Sequence, residues 1–461
     1  MTESIIISEQ VKQQFTARAT LVAIGAKVRS KKIFEPIAES VKIAQKRVKY
    51  TPEEKLLDAY VNILAGGHGM VEINKRIRPD RALQLAFGRN GCAEQSVVQD
   101  TLDACTADNV EQMHQAMMII YRRHSRGYRH HYKQQWQLLD IDLTGRPCGK
   151  KAALAKKRYF ARQRNRRGRQ VGYVVATYYE EIVVERVYDG KAQLSLALPG
   201  LVEAAEQTLE LDEAKRQRTI LRTDSGGGSI EDVNWVLSRG YHFHGKDYAA
   251  NRVKNLMDGV EWVTDPKDAG RQCGWVTIPD NPYDYPVRRI AVRCRKKNGQ
   301  WAQGVILSSL PPEWVLQLTG QPRECIQDPL AVLCAYVYFY DQRGGGVEIE
   351  IKEDKQGLGT KRRNKKRFEA QQIVAQLEAL AHNTLVWARH WLAPYCPRLA
   401  HWGMLRLVRD VCHMNGFILL DQAGHILRIV LNRAEPMAKE LSVGLASILT
   451  QEQIAVILGE T

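Results

Sequence analysis

Hydrophobic positions repeat at helical spacing over the first 135 residues. Thr51-Pro52-Glu53-Glu54 is an N-cap followed by proline at the first helical position, and apolar residues then recur on one face up to Leu64. Asp108 is the candidate N-cap of another helix, which closes with the cations Arg122, Arg123 and His124. Basic residues alternate with apolar ones over residues 28–48, which is typical either of a DNA-facing helix or of a solvated face.

The period changes from helical to alternating at residue 136. Residues 137–144, 171–179 and 182–188 are predicted strands, and Asp189-Gly190 predicts a turn back toward a further strand at 192–196. Helical spacing over 204–215 and 230–239 encloses a short strand at 219–223. Strands followed by alternating helices and strands predict a mixed α/β sheet.

Prolines, tryptophans and short strands mark residues 246–332 as a β-rich insertion. Asn298-Gly299 between two apolar runs predicts a hairpin there. Helical spacing returns from residue 347 to about 389, and a second hairpin is predicted around Asp421-Gln-Ala-Gly424. The last residues again have helical periodicity.

The charge balance changes the picture, because 67 Lys and Arg against 51 Asp and Glu give a net charge of +16 and a pI near 9.4. Such a chain favours a polyanionic partner such as nucleic acid, with an anionic membrane surface as the alternative. No run approaches the roughly 18 apolar residues of a spanning helix, and Met1-Thr-Glu-Ser lacks the features of a signal peptide. We therefore expect a soluble, cytoplasmic protein. Its nine cysteines contain no Cys-x-x-Cys spacing, so neither a zinc site nor a disulfide framework is expected.

Three carboxylates lie at ends or bends of predicted elements. Asp142 lies near the end of the first predicted strand (137–144) and shares a face with Asp140, because side chains alternate along a strand. Asp224 follows the strand at 219–223, and Ser225 with three glycines after it would let a phosphate backbone approach closely. A solvent-facing strand or a helix cap would also explain a single aspartate, and the glycines after Asp224 would also fit a plain loop.

Glu348 is predicted on a helix that begins after Gly344-Gly-Gly346. Lys352 and Lys355 follow on the same helix face, and Arg343 reaches in from the preceding loop. A salt-bridged surface helix is the alternative. Taken together, three carboxylates with phosphate oxygens are the hard ligands that Mg²⁺ or Mn²⁺ prefers.

A dense basic run covers residues 150–169, and no acid occurs between Asp142 and Glu180. Like charges at this density repel one another unless phosphates neutralise them, which favours DNA contact over a solvated loop. The predicted DNA-binding residues of the run are Lys150, Lys151, Lys156, Lys157, Arg158, Arg162, Arg164, Arg166, Arg167 and Arg169.

The chain resembles the DDE transposases of bacterial insertion sequences, in the subgroup with a Tyr-Arg-Glu-Lys signature, from about residue 50 to 435. The resemblance rests on Asp142-x-Thr144, on Arg222-x-Asp224-Ser-Gly, and on Tyr340-x-x-Arg343 followed by Glu348 and Lys355. Four residues separate Arg343 from Glu348, where the family has three.

This resemblance implies an α/β fold with a ribonuclease-H-like mixed sheet flanked by helices. It divides the chain into an N-terminal helical DNA-binding region (1–135), a catalytic core in two parts (136–245 and 333–400), the β-rich insertion (246–332) and a C-terminal region for possible dimerisation (401–461). Base-specific contacts are expected from the N-terminal region.

The resemblance also implies cut-and-paste DNA transposition. Asp142, Asp224 and Glu348 would be the catalytic metal ligands for Mg²⁺ or Mn²⁺, and Tyr340, Arg343 and Lys355 would bind phosphates beside the scissile bond. The implied partners are double-stranded DNA, as terminal inverted repeats and target, and a second copy of the chain in a synaptic complex. Cleavage through a hairpin intermediate and a bacterial, nucleoid-associated location are implied in the same way.

Two other hypotheses remain open at this point. The chain could be a catalytically retired, transposase-derived DNA-binding protein, or a basic structural or RNA-associated protein whose acids are surface charges. Substitution of the three acids distinguishes them, because only the active transposase loses its activity. A tryptophan of the insertion could stack on a flipped base, and the sequence does not choose among Trp262, Trp275, Trp301 and Trp314.

Overall fold

A computed structural model describes residues 12–46, 49–160, 163–248, 250–344 and 347–460. The chain divides into two compact units. The first unit comprises Met1–Ser125, Pro147–Ala155 and Glu350–Thr461, and the second comprises Arg126–Arg146 and Lys156–Ile349. The N-terminal residues behind the expectation of no signal peptide lie outside the described residues.

The helices and strands of the described residues are these, in chain order. The α-helices are α1 (Ala19–Ser30), α2 (Glu35–Ser40), α3 (Pro52–Leu64), α4 (Arg81–Ala86), α5 (Gln95–Asp103), α6 (Ala107–His124), α7 (Leu194–Leu209), α8 (Glu213–Arg216), α9 (Ile230–Ser238), α10 (Ala250–Asn255), α11 (Pro312–Leu318), α12 (Pro329–Gly344), α13 (Val347–Gln356), α14 (Phe368–Leu392), α15 (Met404–Arg406) and α16 (Ala438–Ile448). The strands are β1 (Lys12–Thr16), β2 (Gln137–Pro147), β3 (Lys156–Phe160), β4 (Gln163–Ala176), β5 (Glu181–Tyr188), β6 (Thr219–Thr223), β7 (His242–Lys246), β8 (Val263–Asp265), β9 (Asp268–Trp275), β10 (Arg288–Arg295), β11 (Trp301–Ser308), β12 (Gly416–Leu420), β13 (Ile426–Asn432) and β14 (Ala455–Gly459).

The first unit is mainly helical. Thr51 caps α3 with a capping box, in which its backbone N–H donates to Glu54 and its hydroxyl accepts from the Glu54 N–H. The buried Tyr60 and Thr384 hydroxyls, 2.7 Å apart, join α3 to α14. Thr106 rather than Asp108 caps α6, because a threonine one residue before the helix accepts the Asn109 N–H. The predicted closing hairpin is β12 and β13, in a sheet ordered β1-β12-β13-β14.

The second unit is organised around a mixed sheet, which has ten strands among the described residues. Its order is β3-β4-β2-β6-β7-β11-β10-β9-β8, and β5 also pairs with β4. The segment β5-β4-β2-β6-β7 pairs β4 with β5 antiparallel and β2, β6 and β7 parallel. This pairing confirms the predicted mixed α/β sheet.

Helices cover both faces of this sheet. On one face α12 packs against β9, β10 and β11, and its Phe339 shares a buried apolar cluster with Leu138 and Ile220. On the other face α7 packs against β4 and β5, where an added Cβ on Gly172 would lie 2.8 Å from the Leu201 side chain. Side chains of both strand faces are therefore buried.

Several predicted boundaries differ from the structure. The predicted strand 192–196 leads into α7, which begins at Leu194, because apolar residues keep helical spacing from Leu194 onward. Pro199 interrupts this spacing in the sequence, which is why the helix was not predicted. β2 continues to Pro147 instead of ending near Thr144. The strands of residues 246–332 extend the same sheet through pairing of β11 with β7, and the hairpin predicted at Asn298-Gly299 joins β10 to β11.

No helix of the described residues combines the length and the apolar character that crossing a bilayer requires.

Candidate nuclease site

Asp142 and Asp224 are brought together by the register of two parallel strands. Ile141 of β2 pairs with Thr223 of β6, so the next residues along the two strands are the two aspartates. Neighbouring strands lie about 4.8 Å apart, which makes these acids close neighbours. The strand was predicted to end at Thr144, two residues after Asp142. It continues to Pro147, so Asp142 lies within β2, at the point where pairing with β6 ends.

Arg343 connects Asp142 to Glu348. Its Nη2 donates to the Ile141 carbonyl at 3.0 Å and to Asp142 Oδ1 at 3.3 Å, and its Nη1 donates to Glu348 Oε1 at 3.3 Å. Arg343 lies in the last turn of α12, which corrects its predicted place in a loop, and its side chain is only 1% exposed. Glu348 lies in the first turn of α13, as predicted, and its side chain is 59% exposed.

The pKa of Asp142 shows that the three carboxylates share one electrostatic environment. Burial is the largest cause that raises this pKa above its ordinary value, and the charges of Asp224 and Glu348 raise it further. The Arg343 guanidinium acts in the opposite direction without cancelling these effects. A carboxylate in this position is ionised more readily when another cation lies nearby.

Tyr340 lies beside the same cluster, three residues before Arg343 on α12. Burial raises the pKa of its hydroxyl to about 12, and the neighbouring charges of Asp224 and Glu348 contribute to the rise against Arg343. The Lys246 ammonium lies 4.5 Å from the centre of the Tyr340 ring. The phenol is therefore un-ionised at neutral pH and is flanked by two cations.

Sequence reasoning missed Lys246. Thr223 of β6 pairs with Gly245 of β7, so Lys246 is the next residue along β7, level with Asp224. Asp142, Asp224 and Lys246 thus follow the last paired positions of three adjacent parallel strands. Lys246 is identified by the order of the strands in the sheet, and the local sequence around His242–Lys246 does not predict that order.

The glycines after Asp224 are explained in part by packing. A Cβ on Gly228 would lie 1.7 Å from the Lys246 carbonyl oxygen, so the backbone of the loop touches β7 at this point. Asp224 itself caps the turn, because its Oδ1 accepts the Gly226 N–H at 2.8 Å. Close approach of protein backbone, rather than of a phosphate, is the observed reason for Gly228.

The three acids suit a divalent cation in their chemistry. They offer carboxylate oxygens, and the pKa of Asp142 is raised first by burial and then by the charges of Asp224 and Glu348, against the effect of Arg343. Among the described residues, however, no group of three or more His, Cys, Asp or Glu side chains is arranged to hold a metal ion. In the observed arrangement the Arg343 guanidinium bonds two of the three acids, Asp142 and Glu348.

From Lys156 onward, the basic run predicted to bind DNA forms a hairpin of β3 and β4. Like charges face each other across its strands, with Lys157 opposite Arg167 and Arg158 opposite Arg166. Directly opposed like charges destabilise a strand pair. Lys156, Lys157, Arg166 and Arg167 are exposed, and Arg158 is half-buried with bonds to the carbonyls of Lys191 and Ala192.

The other predicted DNA-binding residues have different surroundings. Arg169 is 1% exposed, so direct phosphate contact is not favoured for it. Arg162 lies outside the described residues, and Arg164 is described only as part of β4. Lys150 and Lys151 are exposed in a turn of the first unit. Lys355 belongs to the same unit and lies in α13.

Cation–π contacts distinguish the tryptophans of the insertion. Arg293 lies between Trp262 and Trp301, 4.1 and 4.8 Å from their ring centres. Trp314 packs against Trp136 and His242, and Trp275 against Tyr336.

Comparisons with known proteins give one structural likeness to report. No family model matches the chain, and no curated protein matches it. One similar solved structure is a cryo-electron microscopy structure of a piggyBac transposase synaptic complex with hairpin DNA, with 10% identity and a TM-score of 0.44, over 96% of this chain and 84% of that one. A likeness at this level does not establish a shared family.

Proposed function

We propose that this protein is a DNA transposase whose nuclease site is formed by Asp142, Asp224 and Glu348. The observation that supports the proposal best is the convergence of three acids, far apart in the sequence, around the buried Arg343. The parallel register of β2 and β6 makes Asp142 and Asp224 neighbours, and Arg343 bonds both Asp142 and Glu348. Surface acids without a common role would not need a buried arginine between them.

The three acids would hold Mg²⁺ or Mn²⁺, which supplies activation of a water or 3′-hydroxyl and stabilisation of the leaving oxygen in phosphodiester cleavage. The protein's own groups orient the DNA. Arg343 donates to three oxygens of β2 and α13 and is only 1% exposed, so its fork would reach a phosphate only once a cation had replaced it at Asp142 and Glu348. Tyr340 has a raised hydroxyl pKa and therefore donates a hydrogen bond at neutral pH.

Double-stranded DNA is the proposed substrate, both as terminal inverted repeats and as target. The net charge of +16 and the exposed cations of the β3–β4 hairpin support a long polyanion. Facing like charges weaken the hairpin by themselves, and phosphates placed between them would remove that cost. Lys355, Lys150 and Lys151 are proposed phosphate contacts on the first unit.

The finer points come from the resemblance of the motifs and remain proposals. They are cut-and-paste transposition of a bacterial insertion sequence, a hairpin intermediate at the transposon end, a homodimer in the synaptic complex, and a cytoplasmic, nucleoid-associated location. The five-part domain division with its N-terminal DNA-binding region is proposed on the same basis.

The arrangement of the acids also favours a second candidate, a catalytically retired DNA-binding derivative. Arg343 bonds Asp142 and Glu348, and the described residues contain no group arranged for a metal ion. An arginine that permanently replaced a metal would leave a DNA-binding protein without cleavage. Both candidates predict salt-sensitive DNA binding, and only the first predicts cleavage.

The deciding experiment is incubation of the purified protein with Mg²⁺ or Mn²⁺ and a duplex that carries the end of its own flanking element. Wild type is compared with Asp224→Ala, and Asp258→Ala, at an exposed position of the same unit, is the matched control. Nicked and hairpin products from wild type and Asp258→Ala, but not from Asp224→Ala, are expected. Tight binding without cleavage by any of the three proteins would favour the retired derivative, and cleavage by Asp224→Ala would exclude the proposed site.

A further inference from the structure

Asp140 and Arg222 belong to the motifs beside the acids, yet neither is part of the acid cluster. Asp140 shares the strand face of Asp142, and Arg222 lies two residues before Asp224. The two form a buried forked pair, in which Arg222 Nε donates to Asp140 Oδ1 at 2.6 Å and Nη2 donates to Oδ2 at 2.8 Å. The Arg222 side chain is 1% exposed and the Asp140 side chain is 0% exposed. The pair joins β2 to β6 directly beneath Asp142 and Asp224.

The third nitrogen of Arg222 reaches α12. Its Nη1 donates to the Phe339 carbonyl at 3.0 Å, and the guanidinium lies 5.0 Å from the centre of the Phe339 ring. His244 also lies beside that ring, with ring centres 4.8 Å apart, and burial lowers the pKa of His244 to about 3, so the histidine is neutral. Arg222 is therefore the cation that bonds the backbone of α12 at this point.

The bonded carbonyl is well placed in the helix. Phe339 immediately precedes Tyr340 and lies one helical turn before Arg343. A displacement of this turn would move the Tyr340 ring and the Arg343 fork together. The Arg222 guanidinium thus connects β6, and through Asp140 also β2, to the turn of α12 that carries Tyr340 and Arg343.

Stability alone is a weak explanation of such a pair. The cost of removing two charges from water offsets much of their attraction, so buried ion pairs often stabilise a fold no better than apolar residues of the same volume. A guanidinium fork bonded at three oxygens does, however, fix distance and angle. The geometry is that of a positioning element.

We propose that Arg222, held by Asp140, is a positioning residue that sets the last turn of α12, and with it Tyr340 and Arg343, against the ends of β2 and β6. The proposal rests on the proposed nuclease function. Arg222 touches none of the reacting groups, and its effect on cleavage passes through Tyr340 and Arg343. A displacement of about 1 Å in a reacting geometry can cost about 100-fold in rate.

The test replaces the pair by apolar residues in Asp140→Leu/Arg222→Met, which removes the bond to Phe339 without leaving an unpaired buried charge. The matched control is Asp58→Leu/Arg89→Met in the first unit, where Arg89 also bonds both oxygens of a buried aspartate, at 3.2 and 3.3 Å. Arg222→Lys is the second variant, because it keeps the charge and loses the fork. Three quantities are measured: the dissociation constant for DNA, the single-turnover cleavage rate at saturating protein, and amide hydrogen exchange over residues 336–344.

We expect both Arg222 variants to cleave about 10- to 100-fold more slowly than wild type, with a dissociation constant within about 2-fold and faster exchange at the end of α12. The control double variant is expected to cleave at the wild-type rate. If Asp140→Leu/Arg222→Met does not fold, Arg222→Lys decides the question. A wild-type rate in the folded Arg222 variants would overturn the proposal. If wild type itself cleaves no DNA, the nuclease function fails, while unchanged exchange at residues 336–344 would separately overturn the positioning role.

Discussion

The second unit contains two clusters of like charges, the acids around Arg343 and the cations of the β3–β4 hairpin, which differ in their surroundings. The carboxylates of Asp142 and Glu348 lie on either side of Arg343, whose side chain is 1% exposed. On the β3–β4 hairpin, Lys157 and Arg167 face each other in the open, and no acid occurs in that part of the sequence. The fold supplies a buried counter-charge for the acids, whereas the opposed cations Lys157 and Arg167 lie at the surface, where a polyanion can reach them.

This difference predicts different behaviour on substitution. In the partly buried cluster each carboxylate has a defined position, so substitution of a single carboxylate should abolish DNA cleavage. On the exposed hairpin the total positive charge determines DNA affinity, so substitution of one residue should lower that affinity by a modest, salt-dependent amount.

The largest expected effect is that of Glu348→Gln on cleavage. The amide keeps the size of the side chain but loses the negative charge that a divalent cation needs, so the cleavage rate should fall by about 1,000-fold or more, as for loss of other essential catalytic groups. Single-turnover cleavage in Mg²⁺ measures it. Glu324→Gln, at an exposed position of the same unit, is the control and should cleave at the wild-type rate.

Removal of two hairpin charges, in Lys157→Ser/Arg167→Ser, should weaken DNA binding without changing the cleavage rate at saturation. The slope of the logarithm of affinity against the logarithm of salt concentration should become shallower by about 1 for each lost phosphate contact. Lys296→Ser/Lys297→Ser removes two exposed cations near the β10–β11 turn and serves as the control. Equal slopes for the two double variants would mean that the chain's total charge, rather than this hairpin, determines binding.

Asp142→Asn should separate stability from activity. Burial and the neighbouring carboxylates raise the folded-state pKa of Asp142 above the ordinary value of 3.8. The stability associated with its protonated form is therefore present below the unfolded-state pKa and is lost as the pH rises through the folded-state pKa. At pH 7 the uncharged asparagine should raise Tm by about 2–4 °C, which corresponds to about 1 kcal/mol in a unit of this size, while cleavage is lost.

Thermal unfolding without metal, at pH 7 and at pH 3, tests this. The gain in Tm should shrink at the lower pH, because the aspartate is then protonated in wild type. A lower Tm at pH 7 would show that the bond from Arg343 outweighs the cost of burying the charge.

The smallest expected effect is that of Lys157→Glu on the stability of the hairpin. The new carboxylate faces Arg167, so a repulsive cross-strand pair becomes an attractive one, worth about 0.2–1 kcal/mol. Denaturant unfolding should show this gain, and DNA binding should weaken at the same time. Arg295→Glu, at an exposed position of another strand, controls for the change in net charge.

The sequence predicted those parts of the site that depend on local pattern. The strand of Asp142, the helix of Glu348 and the turn at Asp224 all follow from periodicity, glycines and caps in a few neighbouring residues. Arg343 was misplaced because the three glycines after it suggested a loop before the next helix, whereas α12 extends to Gly344.

The missed features depend on contacts between distant segments. Lys246 joins the site through the parallel pairing of β6 with β7, and Asp140 is buried through its bond to Arg222, 82 residues away. The charge density of residues 150–169 concealed a strand pair, since basic residues predict a loop better than a strand. Register between strands and the choice of a buried partner are decided by tertiary packing.

Cleavage by combined substitutions of the three acids tests most directly whether they form one site. Asp142→Asn, Asp224→Asn and Glu348→Gln are measured singly and together, by single-turnover cleavage in Mn²⁺. Groups that act as a unit show non-additive losses, so the triple variant should cleave no more slowly than the most impaired single variant. Losses that multiply in the triple variant, or any single variant that cleaves at the wild-type rate, would contradict a single three-carboxylate site.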